Sequence, residues 1–248
     1  MFVEYLKRGV LAGALAGLAF GVLVALVANP LVGLAEGAGH GGAHDAGGGQ
    51  AHADHRSTVP AVAGHAASVA SGVLWGVLLG GVVFGVAYYT FEPAIPGTGA
   101  TKSYVLAAAG FLTVSGAPWL VLPPRPPGVE AALSTETRIV LYGGMMVAGA
   151  LVSLLSGVAY RRLHGDRRPV TAAAIAVLPI GLLAVPAALS PATAVAGSLP
   201  SELTAGLTGL VVFGQALLWL VLAATHARLC RSTGRSDSDT TFAGKIQY

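Results

Sequence analysis

The sequence predicts an all-α polytopic membrane protein of six transmembrane helices, with both termini cytoplasmic and no soluble domain. Three observations carry that expectation. First, of 248 residues 54% are hydrophobic and only 10% are charged, against about 25% charged in a soluble domain, and mean hydropathy is +0.71. Second, apolar runs free of Asp, Glu, Lys and Arg occupy 9–29, 67–89, 104–122, 139–160, 170–189 and 206–227. Each is roughly 20 residues, the length that crosses a hydrocarbon core. Third, the basic residues alternate in density. With the N-terminus inside, cytoplasmic segments hold Lys7, Arg8, Lys102, Arg161, Arg162, Arg167, Arg168, Arg228, Arg231, Arg235 and Lys245, and the outside holds only Arg56, Arg125 and Arg138. That asymmetry is the positive-inside bias. The net charge of +3 therefore reflects orientation, and scattered arginines without aromatic interleaving exclude a nucleic-acid surface.

These boundaries divide the chain into a membrane domain over 1–229 and a polar, disordered cytoplasmic tail over 230–248. An external histidine-rich loop spans 37–65 and an external proline-rich loop spans 122–138. The first helix begins behind Lys7 and Arg8, as a signal peptide would. Its apolar stretch runs too long for one, and Glu36 follows where small residues would mark cleavage, so it is read as retained. It carries Gly9, Gly13, Gly17 and Gly21 at intervals of four. The second helix carries Gly72, Gly76 and Gly80 at the same interval, with Gly81 and Gly85 on an adjacent stripe. Such stripes lie on one helix face and let a neighbouring backbone approach closely, which predicts a tight contact beneath the histidine loop. The alternative is mere abundance, since the chain has 35 glycines.

Between the third and fourth spans, Pro123, Pro124, Pro126 and Pro127 enforce an extended entry, followed by a turn at Gly128. Ser134 or Thr135 is placed to cap the fourth helix, with Glu136 in its first turn. In the fifth span, Pro179 and Pro186 each remove a backbone donor and free a carbonyl about one turn earlier. A packing kink is one reading; a functional break whose carbonyls line an ion path is the other. No internal repeat relates residues 1–125 to 126–248.

The absences narrow the chemistry. The chain has no G-x-x-x-x-G-K-[ST], no H-E-x-x-H and no G-x-S-x-G. No acid or base sits inside any span, where a proton-coupled pump or an intramembrane hydrolase would keep one. Gln215 is the deepest large polar side chain, with Ser115 and Ser153 as smaller ones. The pattern points away from an enzyme and implies no organic cofactor. Cys230, the single cysteine, has no disulfide partner and is read as chemically idle. His164 and His226 are read as helix-end residues, the alternative being ligands at a cytoplasmic exit.

What remains is "GHGGAHDAGGGQAHADH", residues 39–55, which holds four of the seven histidines. Neutral imidazole suits Co(II), Ni(II), Zn(II) and Cu(II), and interleaved carboxylates keep the site borderline-hard. His52 and His55 are the foremost candidate ligands, then His40 and His44, with Asp45 and Asp54 between them and Glu36 and His65 at the helix entrances. The glycines let the chain wrap an ion without strain, at an entropic cost. Such a site suits capture and hand-over rather than storage, and it weakens as imidazoles protonate near pH 6.5. The bland alternative is a solvated low-complexity loop.

A first helix ending in "NPLVGLAE", a histidine-rich outer loop, and "APWLVLPPRPPGVE" leading into "TRIVLYGGMM" together resemble the CbtA family of predicted cobalt transporter subunits. The resemblance is strong over roughly residues 5–160, with the proline-rich motif Pro123–Glu130 as its most specific part. It implies cobalt uptake feeding cobalamin synthesis in a prokaryotic cell membrane, with Co(II) favoured over Ni(II) or Zn(II). It also implies a small single-span partner, CbtB. The family is often described with five spans, so the difference from six is expected at the proline-broken fifth helix or the sixth. The leading expectation is a metal-uptake subunit that captures the ion outside and passes it between closely packed helices. A non-conducting metal-binding accessory or sensor is the alternative. Besides lipid and CbtB, a second copy of the chain is a possible partner, since glycine stripes also serve self-association.

Overall fold

A computed structural model describes residues 2–40, 61–125, 132–165, 168–190 and 201–245. It is helical throughout its regular elements. α1 is one run over residues 2–40, made of Phe2–Leu23, a π-helical segment Val24–Ala28 and Asn29–His40. α2 covers 61–91, as Ala61–Val77, a π segment Leu78–Gly85 and Val86–Phe91. α3 covers 100–119, as Ala100–Phe111, a π segment Leu112–Gly116 and Ala117–Trp119. α4 is Thr135–Leu163; α5 covers 169–189, with a 3-10 segment Leu178–Leu183; α6 is Ser201–Lys245.

Among the described residues five helices are long and apolar enough to cross a membrane: Phe2–Leu34, Ala63–Phe91, Thr135–Leu163, Val170–Leu189 and Ser201–Arg231. The expected sixth span is the third, not the proline-broken fifth or the last. α3 is helical, but it opens on Thr101, Lys102 and Ser103 and closes on Pro118 and Trp119, which shortens its apolar run. α6 continues helical to Lys245, past residue 230 where the sequence predicts order to end. Helical backbone persists through His40 and resumes at Ala61, so the described helices enter both ends of the segment expected as a loop over 37–65.

α1 and α2 pack antiparallel through their glycines. Gly13 lies against Gly76 and Gly80, and Gly17 against Gly72 and Gly76. A Cβ built on Gly76 would sit 2.7 Å from the Gly17 Cα, and one on Gly72 would sit 2.8 Å from the Gly21 Cα. Only hydrogen fits there. The π segment of α2 adjusts the register: the stripe runs 72, 76, 80 and then 85, so Gly85 joins it opposite Gly9 while Gly81 faces Val10. A wide π turn holds one residue more than an α turn, which accounts for the step of five. Near the loop end, Asn29 Nδ2 donates to Ser68 Oγ at 3.0 Å, and Ser68 Oγ donates to the Gly64 carbonyl at 3.1 Å. Polar side chains satisfied across helices stabilise such a contact in lipid.

α3 joins two packed groups. On one side Ala12, Ala16, Phe84, Tyr88, Ala107, Leu218, Trp219, Leu222 and Ala223 form a buried cluster of α1, α2, α3 and α6. On the other, Ala117 and Val121 pack with Met145, Val152 and Leu183 of α4 and α5. Ser103 at the start of α3 meets His226 late in α6, and Gly110 meets Trp219, so α3 and α6 are antiparallel. Further on, Thr113 and Ala117 abut Gly149 of α4, and Tyr142 Oη donates to the Val114 carbonyl at 2.6 Å. That carbonyl lies in the π segment. α3 thus lies between α6 on one side and α4 on the other, and the start of α1 and the end of the apolar part of α6 share one end of the bundle.

The α5 break is a packing kink by its surroundings. Its 3-10 segment places Leu183, 2% exposed, against Ala117, Met145 and Val152, with Ile180 and Ala187 alongside. Apolar neighbours give freed carbonyls no polar lining. Leu189 and Val170, at 81% and 79% exposed, point outward, the arrangement that hydrocarbon solvent favours. α4 starts as expected: Ser134 is its N-cap, accepting from the Thr137 N–H at 3.3 Å, with Glu136 in the first turn.

Candidate functional site

The predicted ligands fall into two groups by position. Glu36 and His40 stand one turn apart on the helical backbone at the end of α1, and His65 lies near the start of α2. His44, Asp45, His52, Asp54 and His55 lie outside the described residues. His65 is half-buried and borders an open apolar crevice with Val22, Ala25, Leu26, Ala66, Val69 and Ala70. Among the described residues no three His, Cys, Asp or Glu side chains converge as a metal cage.

Backbone meets backbone along the α1–α2 seam from Gly9 to Gly21, which leaves no width for an ion. The seam is a strut between α1 and α2 that reaches as far as Gly21 and Val69.

At the opposite end of the bundle the helices assemble a polar cluster that the sequence does not announce. α1 supplies Glu4, Tyr5 and Arg8, α2 supplies Tyr88 and Glu92, α3 supplies Lys102 and Ser103, and α6 supplies His226 and Cys230. Tyr5 Oη donates to Glu92 Oε2 at 2.6 Å, and Lys102 Nζ lies 3.5 Å from Glu92 Oε1. Arg8 pairs with Glu4 at 3.8 Å and reaches toward Cys230 Sγ at 3.9 Å. One carboxylate, Glu92, thus ties three helices. The turn into α3 depends on Gly97 and Gly99, both at positive φ (99° and 51°), a backbone that other residues rarely adopt.

His226 is the centre of this cluster. It is 0% exposed, with its ring 4.5 Å from the Tyr88 ring and 5.2 Å from the Phe84 ring. Its Nδ1 shares a hydrogen bond of 2.9 Å with Ser103 Oγ and lies 3.7 Å from Cys230 Sγ. Its Nε2 is buried with no hydrogen-bond partner among the described residues. The helix-end reading of His226 therefore gives way to a buried, interhelical one. The sequence signal was there: His226 and Cys230 are four apart on one helix, hence on one face. What hid it was the missing third party, since Ser103 lies 123 positions away. His164, by contrast, is exposed and stacks on Tyr160 with ring centroids 5.0 Å apart, a helix-end role. Gln215 is half-buried on α6.

The family described as probable cobalt transporter subunit (CbtA) matches residues 2–231, nearly the whole chain, and the chain belongs to that family. No curated protein and no solved structure matches it.

Proposed function

We propose that this CbtA-family membrane subunit imports cobalt, or a related divalent transition metal, by capturing it at the external histidine-rich segment. Membership of the family carries the reading. His52 and His55, then His40 and His44, with Asp45 and Asp54, supply the capture ligands, and Glu36 and His65 stand at the loop's roots. The α1–α2 glycine contact supports this division of labour. It supplies a rigid pedestal of α1 and α2, packed backbone to backbone as far as Gly21 and Val69, below the segment that carries the capture ligands.

The topology we infer has six crossings, with both termini in the cytoplasm. The Arg8–Cys230 contact supports it, because the first and last helices then begin and end on the same side. Omitting α3 would move Arg161, Arg162, Arg167, Arg168, Arg228 and Arg231 to the side opposite Lys7 and Arg8, against the positive-inside bias. The imported ion feeds cobalamin synthesis, and a small single-span subunit of the CbtB type completes the system. The membrane potential, about 2.3 kcal/mol per charge per 100 mV, drives a dication inward.

A second reading, a non-conducting accessory that loads a partner, is favoured by the closed α1–α2 seam. Uptake of radioactive cobalt into vesicles separates the two. Uptake by vesicles holding this chain, alone or with its single-span partner, supports import. Binding without uptake in both preparations leaves the accessory reading. Deleting residues 41–60 should lower uptake at limiting cobalt several-fold, and unchanged uptake would remove the capture role.

A further inference from the structure

We propose that His226 and Cys230, with Ser103, form a second metal station at the end of the bundle opposite the histidine-rich loop, where a borderline transition-metal dication docks before release. The inference rests on the metal-cargo reading above and places a site in the part of the molecule farthest from the loop. From Arg8, beside the station, to His40 the α1 backbone runs about 48 Å at 1.5 Å per residue.

Three observations carry it. The first is the bite. A tetrahedral ion bound at about 2.05 Å to nitrogen and about 2.3 Å to sulfur holds those atoms about 3.6 Å apart, and Nδ1 and Sγ are 3.7 Å apart. The pair has the spacing of a chelate, and both members sit one turn apart on α6. The second is the ring itself. His226 is 0% exposed and turns Nδ1, not Nε2, toward both Ser103 Oγ and Cys230 Sγ, so a single buried nitrogen faces both other donors. The third is the neighbouring hydroxyl. Ser103 Oγ, 2.9 Å from Nδ1, stands where a pivot of its side chain makes it a third, weak oxygen donor.

Binding displaces the Cys230 thiol proton to water and replaces the Ser103–Nδ1 hydrogen bond by a metal–nitrogen bond, so the thiolate and the neutral imidazole become the ligands. The charged groups nearby set the strength. Arg8 reaches toward the sulfur from α1 at 3.9 Å. Its guanidinium favours thiolate but opposes a dication in residence, and Glu4 offsets it only in part. Glu92 is occupied by Tyr5 and Lys102. A two-ligand site beside a positive charge exchanges fast, which suits a release station.

The single cysteine makes the test direct, since any thiolate-to-cobalt charge-transfer absorption must come from Cys230. The full-length protein in micelles is titrated anaerobically with cobalt(II) chloride, alongside the form lacking residues 41–60. The expected result is the sulfur-to-cobalt band in both, lost in Cys230→Ser and requiring about tenfold more cobalt in His226→Gln. Absence of the band in the wild-type protein at saturating cobalt overturns the station, and that measurement needs no variant to fold. An unchanged titration in His226→Gln likewise overturns the chelate. The two readings fail separately: a band without vesicle uptake removes import and leaves the station, whereas uptake without a band removes the station alone.

Discussion

Placing a methyl group into the α1–α2 seam is the most direct test of the fold. A Cβ on Gly76 would lie 2.7 Å from the Gly17 Cα and 2.9 Å from its nitrogen, and one on Gly17 would lie 2.9 Å from the Gly76 Cα. Carbon atoms pack at about 3.5–4.0 Å, so either Gly17→Ala or Gly76→Ala must part the helices by about 1 Å. Both neighbours are backbone atoms, so no side chain can swing aside. Overpacking of this kind costs about 1–3 kcal/mol, and a gap of that size forfeits a quarter to a half of each dispersion contact along the seam. The better helix propensity of alanine offsets up to about 1 kcal/mol. The expected net loss is about 1–2 kcal/mol for either variant, read from equilibrium unfolding in mixed micelles. The double variant should lose less than the sum, because one separation accommodates both methyl groups. Gly157→Ala, on α4 with nothing within 4 Å, is the matched control and should be neutral. If Gly17→Ala and Gly76→Ala both stay within about 0.5 kcal/mol of wild type, the contact is not as close as described and the pedestal argument goes with it.

Leu183→Ala empties a buried position between α4 and α5. It should cost about 2 kcal/mol, the low end for such truncations, because the unpacked helix remains in lipid; no change in micelle unfolding would show the kink to be unpacked. Glu92→Gln weakens the joint from Tyr5 to Lys102. At this partly exposed site the loss should be about 1 kcal/mol, visible as a lower melting temperature, with Glu92→Asp intermediate. Ser134→Ala removes the α4 cap and should cost about 1 kcal/mol; an unaltered melting curve would deny the cap any weight. For topology, in a Cys230→Ser background, Arg56→Cys should react with an impermeant maleimide on intact cells and Arg235→Cys only after lysis. Equal labelling of both from outside would refute six crossings.

Much of this molecule can be read from residue order. Composition and the long apolar runs establish a helical membrane protein, and the interval of four between Gly9, Gly13, Gly17 and Gly21 foretells a close partner. The α4 cap follows from Ser134 and Glu136 in the same way. These features are local or periodic, so a linear chain displays them. The family resemblance was legible too, through the proline-rich motif between the third and fourth helices.

The tertiary structure decided what periodicity cannot. It chose which face of α2 meets α1, because the π segment at Leu78–Gly85 inserts a step of five and brings Gly85, where an unbroken α-helix would place Phe84, into the stripe. It showed the α1–α2 seam to be closed, since only the distance between two backbones tells a strut from a passage. It turned the prolines of α5 into a packing feature by setting Leu183 among apolar neighbours. Above all, it moved His226 and Cys230 from the margin of the last helix to the meeting point of α1, α2, α3 and α6. Their chemistry depends on Ser103 and Arg8, residues far away in the chain, and long-range proximity is the one quantity a sequence pattern does not carry.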